Sequence, residues 1–408
     1  MHARKLAIAF WCGLAASTAA IPYIPPPQPV YEAPIDRALE NVAAMEGLEP
    51  AQREQLLGRL NLLAYARDDG AFTYVREDNR FSEAGSILCT EARPSRYGPP
   101  ETPDTFAADD RCAAFDFNLG PRGETPEGAP ESPSAAALQR LEAARAHYAR
   151  AVELAPDNLR ARLGYAYTLD RLGRRSDARC QLRTILKRGL PRLAGEQSNW
   201  EDHAVLTETA AHLSHLARSH RDRGRMQLLQ RRLEASHPIV YVTPIVVPLS
   251  DQPFERIIDT RSDVAFDFAG TGDTRVQGWL TPDAAWLVWD PEWRGQVRSG
   301  FDMIGQRTWA VFWSDGFEAL RALDDNRDGQ LTGGELGGLS LWRDANANGV
   351  SDPGEVLPAN VHGITALGVR GQQTRRGLIT APDGVRFEDG RTRSLYDWTP
   401  GLEQPPVA

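Results

Sequence analysis

Residues 324–355 read DDNRDGQLTGGELGGLSLWRDANANGVSDPGE and contain one twelve-residue pattern twice, at 324–335 and at 344–355. In each copy an aspartate opens the segment, a glycine stands sixth and a glutamate closes it. Side chains with oxygen atoms also occupy the third, fifth and ninth positions. One such copy is expected by chance on the order of once in 10⁵ positions, so two copies in tandem indicate a common function.

This spacing suits a hard divalent cation. Calcium takes six to eight oxygen ligands at about 2.3–2.6 Å, and alternate residues of a tight loop point their oxygens inward. The glycine allows the sharp bend, the seventh residue offers its backbone carbonyl, and the final glutamate supplies two oxygens. The predicted calcium ligands are Asp324, Asn326, Asp328, Gln330, Thr332 and Glu335 in the first segment and Asp344, Asn346, Asn348, Val350, Asp352 and Glu355 in the second.

Both segments resemble EF-hand calcium loops. A wider stretch, roughly residues 262–370, is similar to a calcium-loop module of secreted and surface bacterial proteins, including large repeat-toxin-like ones. The similarity is carried by the runs at 284–290, 315–320 and 341–344. An earlier loop of that module is degenerate around Asp290, because Arg294 holds its fifth position and would oppose a cation. The resemblance implies a calcium-stabilised fold and no reaction.

The residues between the two segments, Leu336 to Arg343, leave little room. We expect one short shared helix there, about 12 Å long at the usual rise of an α-helix. Before the first segment, Asp315 is expected to cap another helix. Leu331, the eighth residue of the first segment, predicts strand pairing between the two loops, although Ser351 is unusual at the matching position of the second.

The middle of the chain, residues 135–237, shows apolar residues at helical spacing. Ala144 and Ala178 lie 34 residues apart, and a Pro156-Asp157-Asn158 turn separates two helical stretches. These features resemble the tetratricopeptide repeat, a helix–turn–helix unit of that period. The resemblance implies a helical surface that docks a protein partner. It covers about one and a half repeats, fewer than the three that a solenoid generally needs.

The start of the chain predicts a secretory signal. A cationic beginning precedes an apolar run from Leu6 to Ala16 and small residues at 17–20. The run is shorter than the ~20 residues of a membrane span, and no later segment is long enough. Export favours a disulfide between Cys89 and Cys112. Cys180, within the helical region, is predicted to be a buried free thiol.

Composition excludes several classes of protein. Of the 408 residues, 41% are hydrophobic and 25% charged, which is typical of a globular chain. The net charge of −9 argues against nucleic acid as a partner. Charge is nevertheless uneven, at −8 for residues 1–134, +8 for 135–237 and −9 for 238–408. The basic middle is a groove for an acidic partner, or else a solvated face or a surface that docks on the chain's own acidic domains. We favour the second interpretation, a solvated face or internal docking.

Together these patterns predict an α+β chain in four parts. Residues 1–20 form the signal peptide. Residues 21–134 contain a proline-rich tether, a helical hairpin over 35–66 and an irregular region. Residues 135–237 form the tetratricopeptide-like helical domain. Residues 238–408 form the calcium-binding module, with strands and a late β-hairpin around Asp389-Gly390.

The predicted function is binding without catalysis. We expect a protein that is secreted, periplasmic or at the cell surface, that binds calcium ions and that meets a protein partner through its helices. The alternative is an exported carboxylate-pair hydrolase or a glycan-binding protein with structural calcium, because such pairs are assembled in space. The six tryptophans between 279 and 313 favour core packing over a glycan surface. Glu208, His212 and His215 share a helix face, which we interpret as solvated.

Overall fold

The computed structural model describes residues 33–68, 133–193, 200–234, 242–268, 278–375 and 377–400. Helices dominate the first half of this part of the chain and strands the second, so the architecture is mixed α+β. The predicted signal peptide and the predicted Cys89–Cys112 disulfide lie outside the described residues.

The helical part begins with a hairpin and continues as an antiparallel array. Its helices are α1 (Ile35–Ala44), α2 (Pro50–Asp68), α3 (Ala135–Leu154), α4 (Leu159–Arg171), α5 (Arg175–Leu193), α6 (Trp200–His215) and α7 (His220–Glu234). Side-chain caps mark two helix starts. Ser134 accepts a hydrogen bond from the backbone N–H of Ala137 at 3.0 Å, and Asn158 accepts one from Ala161 at 2.9 Å. Both residue types satisfy N–H groups that the first helical turn leaves unpaired.

Close packing within the array depends on two glycines around one buried tyrosine. Tyr148 of α3 lies between Gly58 of α2 and Gly164 of α4. A Cβ atom added to Gly164 would lie 2.3 Å from Cζ of Tyr148, and one added to Gly58 would lie 2.9 Å from the same ring. The α1–α2 hairpin, which belongs to the predicted segment 21–134, therefore packs directly on the helices of 135–237.

The C-terminal part contains short helices α8 (Phe254–Ile257) and α9 (Gly316–Arg321) and eleven strands within the described residues. The strands are β1 (Ile245–Pro248), β2 (Ile258–Asp259), β3 (Trp279–Leu280), β4 (Ala284–Trp289), β5 (Gln330–Thr332), β6 (Leu339–Trp342), β7 (Val356–Pro358), β8 (Ile364–Gly368), β9 (Gln372–Gln373), β10 (Ile379–Phe387) and β11 (Thr392–Asp397). The main antiparallel sheet has the order β5-β8-β10-β11-β1-β4-β6-β7, with β9 beside β10. The predicted hairpin around Asp389-Gly390 is confirmed as β10–β11.

The main sheet lies between two hydrophobic cores. Strand β4 is buried along its whole length, and its residues alternate between the two faces. Leu287 and Trp289 face a core that is shared with helices α1 to α4, whereas Trp286 and Val288 face an aromatic core on the other side. Successive side chains of a strand point to opposite faces, so this alternation joins the helices and the sheet into one packed unit.

The two hydrophobic cores together contain the buried tryptophans of the strand-rich part. Trp279, Trp286 and Trp342 pack edge to face with centroids 5.3–5.5 Å apart, and Trp286 stacks on Trp398 at 5.7 Å. The predicted core role therefore holds for five of the six tryptophans between 279 and 313. Trp293 is the exception, since 71% of its surface is exposed.

A strained turn joins this module to the helices. Trp309, Ala310 and Phe312 all have left-handed backbone conformations, with φ of 56°, 56° and 64°. Such conformations are uncommon for residues other than glycine. The turn directs Trp309 into the shared core of sheet and hairpin, and it directs Phe312 into the core of the helical array. The Arg59 guanidinium lies 4.7 Å from the Phe312 ring centroid and donates to the carbonyl of Ala310 at 2.8 Å.

Two expectations about exposure are wrong. Cys180 is a free but exposed cysteine, because it lies on the outer side of α5 while Ala178 and Leu182 face the core. Glu208 and His212 are buried and not solvated. Within the described residues, no helix is long and apolar enough to cross a membrane.

Substituting Gly164 by alanine should destabilise the array by roughly 1–3 kcal/mol, because the new methyl group would overlap Tyr148. Gly224→Ala in α7 is the matched control, since a Cβ there meets no atom within 4 Å. It should leave stability unchanged or raise it by up to about 1 kcal/mol. Urea unfolding followed by circular dichroism measures both, and equal effects of the two variants would contradict this account of the packing.

Asp397 at the end of β11 should make stability depend on pH. Its side chain is buried and accepts a hydrogen bond from the N–H of Gly316 at 2.6 Å, and burial raises its pKa from the ordinary 3.8 to about 7. The folded state therefore favours the protonated acid. Its contribution is complete below pH 3.8 and is lost as the pH rises through 7.

Asp397→Asn should remove this fall in stability, which for one proton amounts to at most about 1.4 kcal/mol per pH unit. The exposed Asp383→Asn serves as control and should keep the profile of the parent chain. Urea midpoints are compared between pH 4 and pH 8 without calcium. A parent chain and an Asp397→Asn variant whose stabilities change equally with pH would show that Asp397 is ionised in the folded protein.

Candidate metal centre

The two predicted loops follow the same backbone path. The fourth residue of each, Arg327 or Ala347, has a left-handed conformation with φ of 62° or 54°. The sixth residue, Gly329 or Gly349, is also left-handed, with φ of 90° or 72°. Two such residues separated by one position produce a tight curl of the backbone in each loop.

Equivalent hydrogen bonds close the two loops. The first aspartate accepts from the N–H of the sixth residue, Gly329 to Asp324 at 3.0 Å and Gly349 to Asp344 at 2.8 Å. The twelfth residue accepts from the second, at 2.8 Å for Glu335 and at 2.9 Å for Glu355. It also accepts from the ninth, at 3.0 Å and 3.1 Å. Each loop thus brings its first and last carboxylates to the same end of the curl.

The middle positions of the loops are also equivalent. Asn326 accepts from the N–H of Asp328 at 2.8 Å, and Asn346 accepts from that of Asn348 at 3.1 Å. In the second loop both asparagine amides donate to Asp352, at 2.8 Å and 2.9 Å. The two loops therefore share the hydrogen bond between their third and fifth residues.

Carboxylates alone do not form a metal cluster in these loops. Among the described residues, no three His, Cys, Asp or Glu side chains are placed to hold an ion by themselves. A cation would have to use the asparagine oxygens and the backbone carbonyls as well, which is the mixed oxygen set that calcium accepts. One oxygen is free to act as a metal ligand. Oδ1 of Asp324 is buried and accepts no hydrogen bond within the described part of the chain.

The first aspartate of each loop has a raised pKa. Burial raises the pKa of Asp324, and repulsion from Glu335 and Asp328 adds to the rise. Burial likewise raises the pKa of Asp344, and Glu355 adds to it. Backbone N–H groups act in the opposite direction in both loops but do not cancel the shift.

The expected helix between the loops is wrong. The first loop leaves through a single 3₁₀ turn, Gly333–Leu336, and strand β6 leads into the second loop. Four glycines between 333 and 338 disfavour a helix. Leu339 and Leu341 alternate with Ser340 and Trp342 in the pattern of a strand buried on both faces, and β6 pairs with β4.

The expected pairing between the two loops is also wrong. Leu331 lies in β5 opposite Leu367 of β8, not opposite the second loop. Ser351 accepts a hydrogen bond from the N–H of Val297 at 2.9 Å. The second loop is therefore attached to the segment around Val297. Each loop is thus held by a different part of the module. The predicted cap of α9 is confirmed, since Asp315 accepts from the N–H of Glu318 at 2.9 Å.

A third loop with the same curl begins at Asp290. Its fourth and sixth residues, Trp293 and Gly295, have φ of 53° and 69°, and Asp290 accepts from the N–H of Gly295 at 2.9 Å. Arginine replaces the ligands of the fifth and ninth positions. Arg294 pairs with Glu292, and Arg298 lies 3.4 Å from Asp302. The carboxylates of this loop are therefore balanced by guanidinium groups of the chain itself.

The first loop contacts the N-terminal helix, a feature that the sequence analysis missed. Asp325 accepts hydrogen bonds from Arg37 and from Asn41, each at 2.8 Å. Arg37 also donates to the carbonyl of Leu323 at 2.5 Å, and Asn41 to that of Ala322 at 3.0 Å. Although partial burial tends to raise the pKa of Asp325, these hydrogen bonds hold it below its ordinary value. No local sequence signal connects residues separated by nearly 290 positions.

The helix face with Glu208, His212 and His215 is not arranged as a metal site. Nε2 of His212 lies 2.9 Å from Oδ2 of Asp170 on α4, and the two side chains form a buried pair. Burial tends to raise the pKa of Asp170, but the hydrogen bond and the nearby histidine charges lower it overall. This pair joins α4 to α6 inside the array.

Comparison with known proteins gives matches to both halves of the chain. Residues 135–192 match the tetratricopeptide repeat, which supports the predicted tetratricopeptide-like character of α3 to α5. Residues 245–399 match the SPM domain. The chain is also similar to the iron-regulated protein FrpA of Neisseria meningitidis serogroup C, with 27% identity over 142 residues. That alignment covers 32% of this chain and 13% of the relative, so it concerns one module of a much longer protein.

Arg37→Gln should lower the free energy of unfolding by about 1 kcal/mol, because it removes both the ion pair with Asp325 and the hydrogen bond to Leu323. Arg140→Gln is the matched control. It also removes one arginine–aspartate pair between helices, but that pair, with Asp36, is more exposed. The control should change stability by less than about 0.5 kcal/mol. Equal losses in urea unfolding would show that the contact with the first loop contributes nothing of its own.

Proposed function

We propose that this protein is an exported calcium-binding protein whose calcium ions stabilise the C-terminal module, while the helical array docks a protein partner. The observation that carries the calcium proposal is the identity of the two loops, in backbone conformation and in hydrogen bonding, over residues 324–335 and 344–355. The proposal includes no catalytic step.

In each loop the ligands would be the six residues named from the sequence. The first loop would bind through Asp324, Asn326, Asp328, the carbonyl of Gln330, Thr332 and Glu335. The second would bind through Asp344, Asn346, Asn348, the carbonyl of Val350, Asp352 and Glu355. Each set contains three carboxylates and otherwise neutral oxygens. This composition favours calcium over softer metals, because no thiol or imidazole takes part.

Electrostatic repulsion supports a structural role for the ion. Burial raises the pKa of Asp324 and of Asp344, neighbouring carboxylates add to the rise, and a divalent cation in each loop would offset that repulsion. Extracellular modules typically bind calcium with a Kd of ~10⁻⁴–10⁻³ M. At ~1 mM calcium each site would then add roughly 0.4–1.4 kcal/mol to stability.

Calcium in the first loop would also strengthen the contact with the helices. Asp325, the second residue of that loop, is held by Arg37 and Asn41 of α1. An ion that fixes the loop therefore fixes the acceptor of these hydrogen bonds. The third loop would remain empty of calcium, since Arg294 and Arg298 occupy its ligand positions.

The docking role rests on the helical array. Tetratricopeptide-like helices stack so that each packs only on its neighbours, which leaves long faces and inter-helix turns open to a partner. The N-terminal sequence, with its signal-like apolar run, supports action outside the cytoplasm, where millimolar calcium is available. Secreted, periplasmic and cell-surface locations all satisfy this requirement.

The test is thermal unfolding of the mature protein in EDTA and in millimolar calcium. The parent chain should melt several degrees higher with calcium, and isothermal titration should give two sites. The Glu335→Gln, Glu355→Gln double variant should lose the calcium-dependent rise, because each substitution removes the bidentate ligand of one loop. Its matched control is Glu255→Gln, Glu388→Gln, which removes two exposed carboxylates outside the loops.

The outcomes separate the parts of the proposal. A control variant that keeps the rise while the loop variant loses it assigns the effect to the two loops. A parent chain with no calcium response would reject calcium binding and leave the loops as acidic turns. A stoichiometry of three would show that arginine does not prevent binding at Asp290.

A further inference from the structure

A cationic cleft lies at one end of the helical array. It opens between the turn that joins α4 to α5 and the turn that joins α6 to α7, and its volume is about 540 Å³. Its charged lining consists of Arg174, Arg175, Arg179, His215 and Arg218. None of the residues that line it is acidic. The two turns thus place four arginines around one open space.

The charges of this cleft are only partly balanced. Arg174 pairs with Asp177 at 2.8 Å, and Arg175 lies 3.8 Å from Asp170. Arg179 and Arg218 have no carboxylate within 4.0 Å in the described part of the chain. Two arginines therefore face the cleft with their charge uncompensated.

Further cations extend the same surface. Arg183 and Lys187 follow Arg179 at four-residue spacing on α5, are exposed, and form no ion pair within the described residues. Residues spaced by four share one face of a helix. This face and the cleft account for much of the charge of +8 in residues 135–237, in a chain whose net charge is −9. Like charges gathered in this way repel one another unless an anionic partner compensates them.

The form of the site favours an acidic polypeptide. Its volume is within the ~300–1,000 Å³ of sites that enclose a small ligand, so it accommodates a few residues of a chain. A nucleic acid extends far beyond such a cleft, and the net charge of −9 of the whole chain disfavours its phosphates. Arginine binds carboxylates through two parallel hydrogen bonds, which adds geometric selectivity to charge.

We propose that the cleft between the α4–α5 and α6–α7 turns binds a carboxylate-rich segment of a partner protein, with Arg179 and Arg218 as its principal contacts. This inference rests on the proposed docking role of the helical array and names the part of the array that docks and the chemistry of the partner.

The experiment measures fluorescence anisotropy of a fluorescein-labelled peptide of alternating glutamate and glycine on the full chain in calcium. Arg179→Gln, Arg218→Gln should weaken binding by about tenfold, because two ion pairs of partly exposed groups are lost. Arg150→Gln, Arg231→Gln removes the same charge at exposed positions outside the cleft and should change binding by less than about twofold. Binding should weaken as ionic strength rises above about 0.15 M.

Several results would overturn the inference. If the cleft variant binds the peptide as tightly as the control variant does, the peptide binds at another site. A peptide with glutamine in place of glutamate binding equally well would remove the role of charge, and a single-stranded DNA of equal charge binding more tightly would favour a nucleic acid. Circular dichroism and melting curves verify that both variants fold.

This test is independent of the calcium proposal. Calcium-dependent melting involves the two loops and none of these arginines, so calcium stabilisation without peptide binding would reject the cleft alone. In a pull-down experiment, a partner protein that binds the parent chain and the cleft variant equally would overturn the proposed role of the cleft. It would leave the docking role of the helical array in place.

Discussion

The packing of the α1–α2 hairpin against the strand-rich module is the contact on which the rest of the structure depends. One hydrophobic core continues from these helices through α3 and α4 into one face of the main sheet. Polar contacts at its edge connect Arg37 and Asn41 to the first loop, and Phe312 enters the helical core from the opposite side. The position of the array on the module, and the environment of the first loop, both follow from this single junction.

The three loops of the module show two ways to solve one electrostatic problem. Each curl gathers carboxylates around the N–H groups of a tight turn, and the carboxylates then repel one another. In the loop at Asp290 the chain supplies Arg294 and Arg298 as counter-charges. In the loops at 324–335 and 344–355 the first aspartate accepts from a backbone N–H, and the proposed calcium ions would compensate the charge of the ligand carboxylates. The same backbone thus persists with different chemistry, because its shape comes from left-handed residues at positions four and six.

Charge also divides the molecule into two chemically different surfaces. The module is acidic and proposed to attract cations, whereas the array is basic and has an arginine-lined cleft at its turns. The structure bears on both interpretations of the basic residues 135–237, as a groove for an acidic partner or as a face that is solvated or docked on the chain's own acidic module. Docking on the acidic module does occur, but it uses α1, α2 and Phe312, and it leaves Arg179 and Arg218 without a carboxylate partner in the described residues. Charge on this end of the array remains available to another molecule.

Local spacing in the amino-acid sequence specifies several features of the fold. The twelve-residue loops, the Asp315 cap, the Asp389-Gly390 hairpin and the tetratricopeptide-like helices are each specified by neighbouring residues, and the structure contains all of them. Other features depend on contacts between residues that are far apart in the sequence, and these contacts form only when the chain folds. Leu339 to Trp342 form a strand because β4 pairs with them, and Leu331 pairs with β8 because the sheet brings it there. Asp325 meets α1, and Tyr148 sits between two glycines of other helices, because packing brings together residues that no local pattern connects.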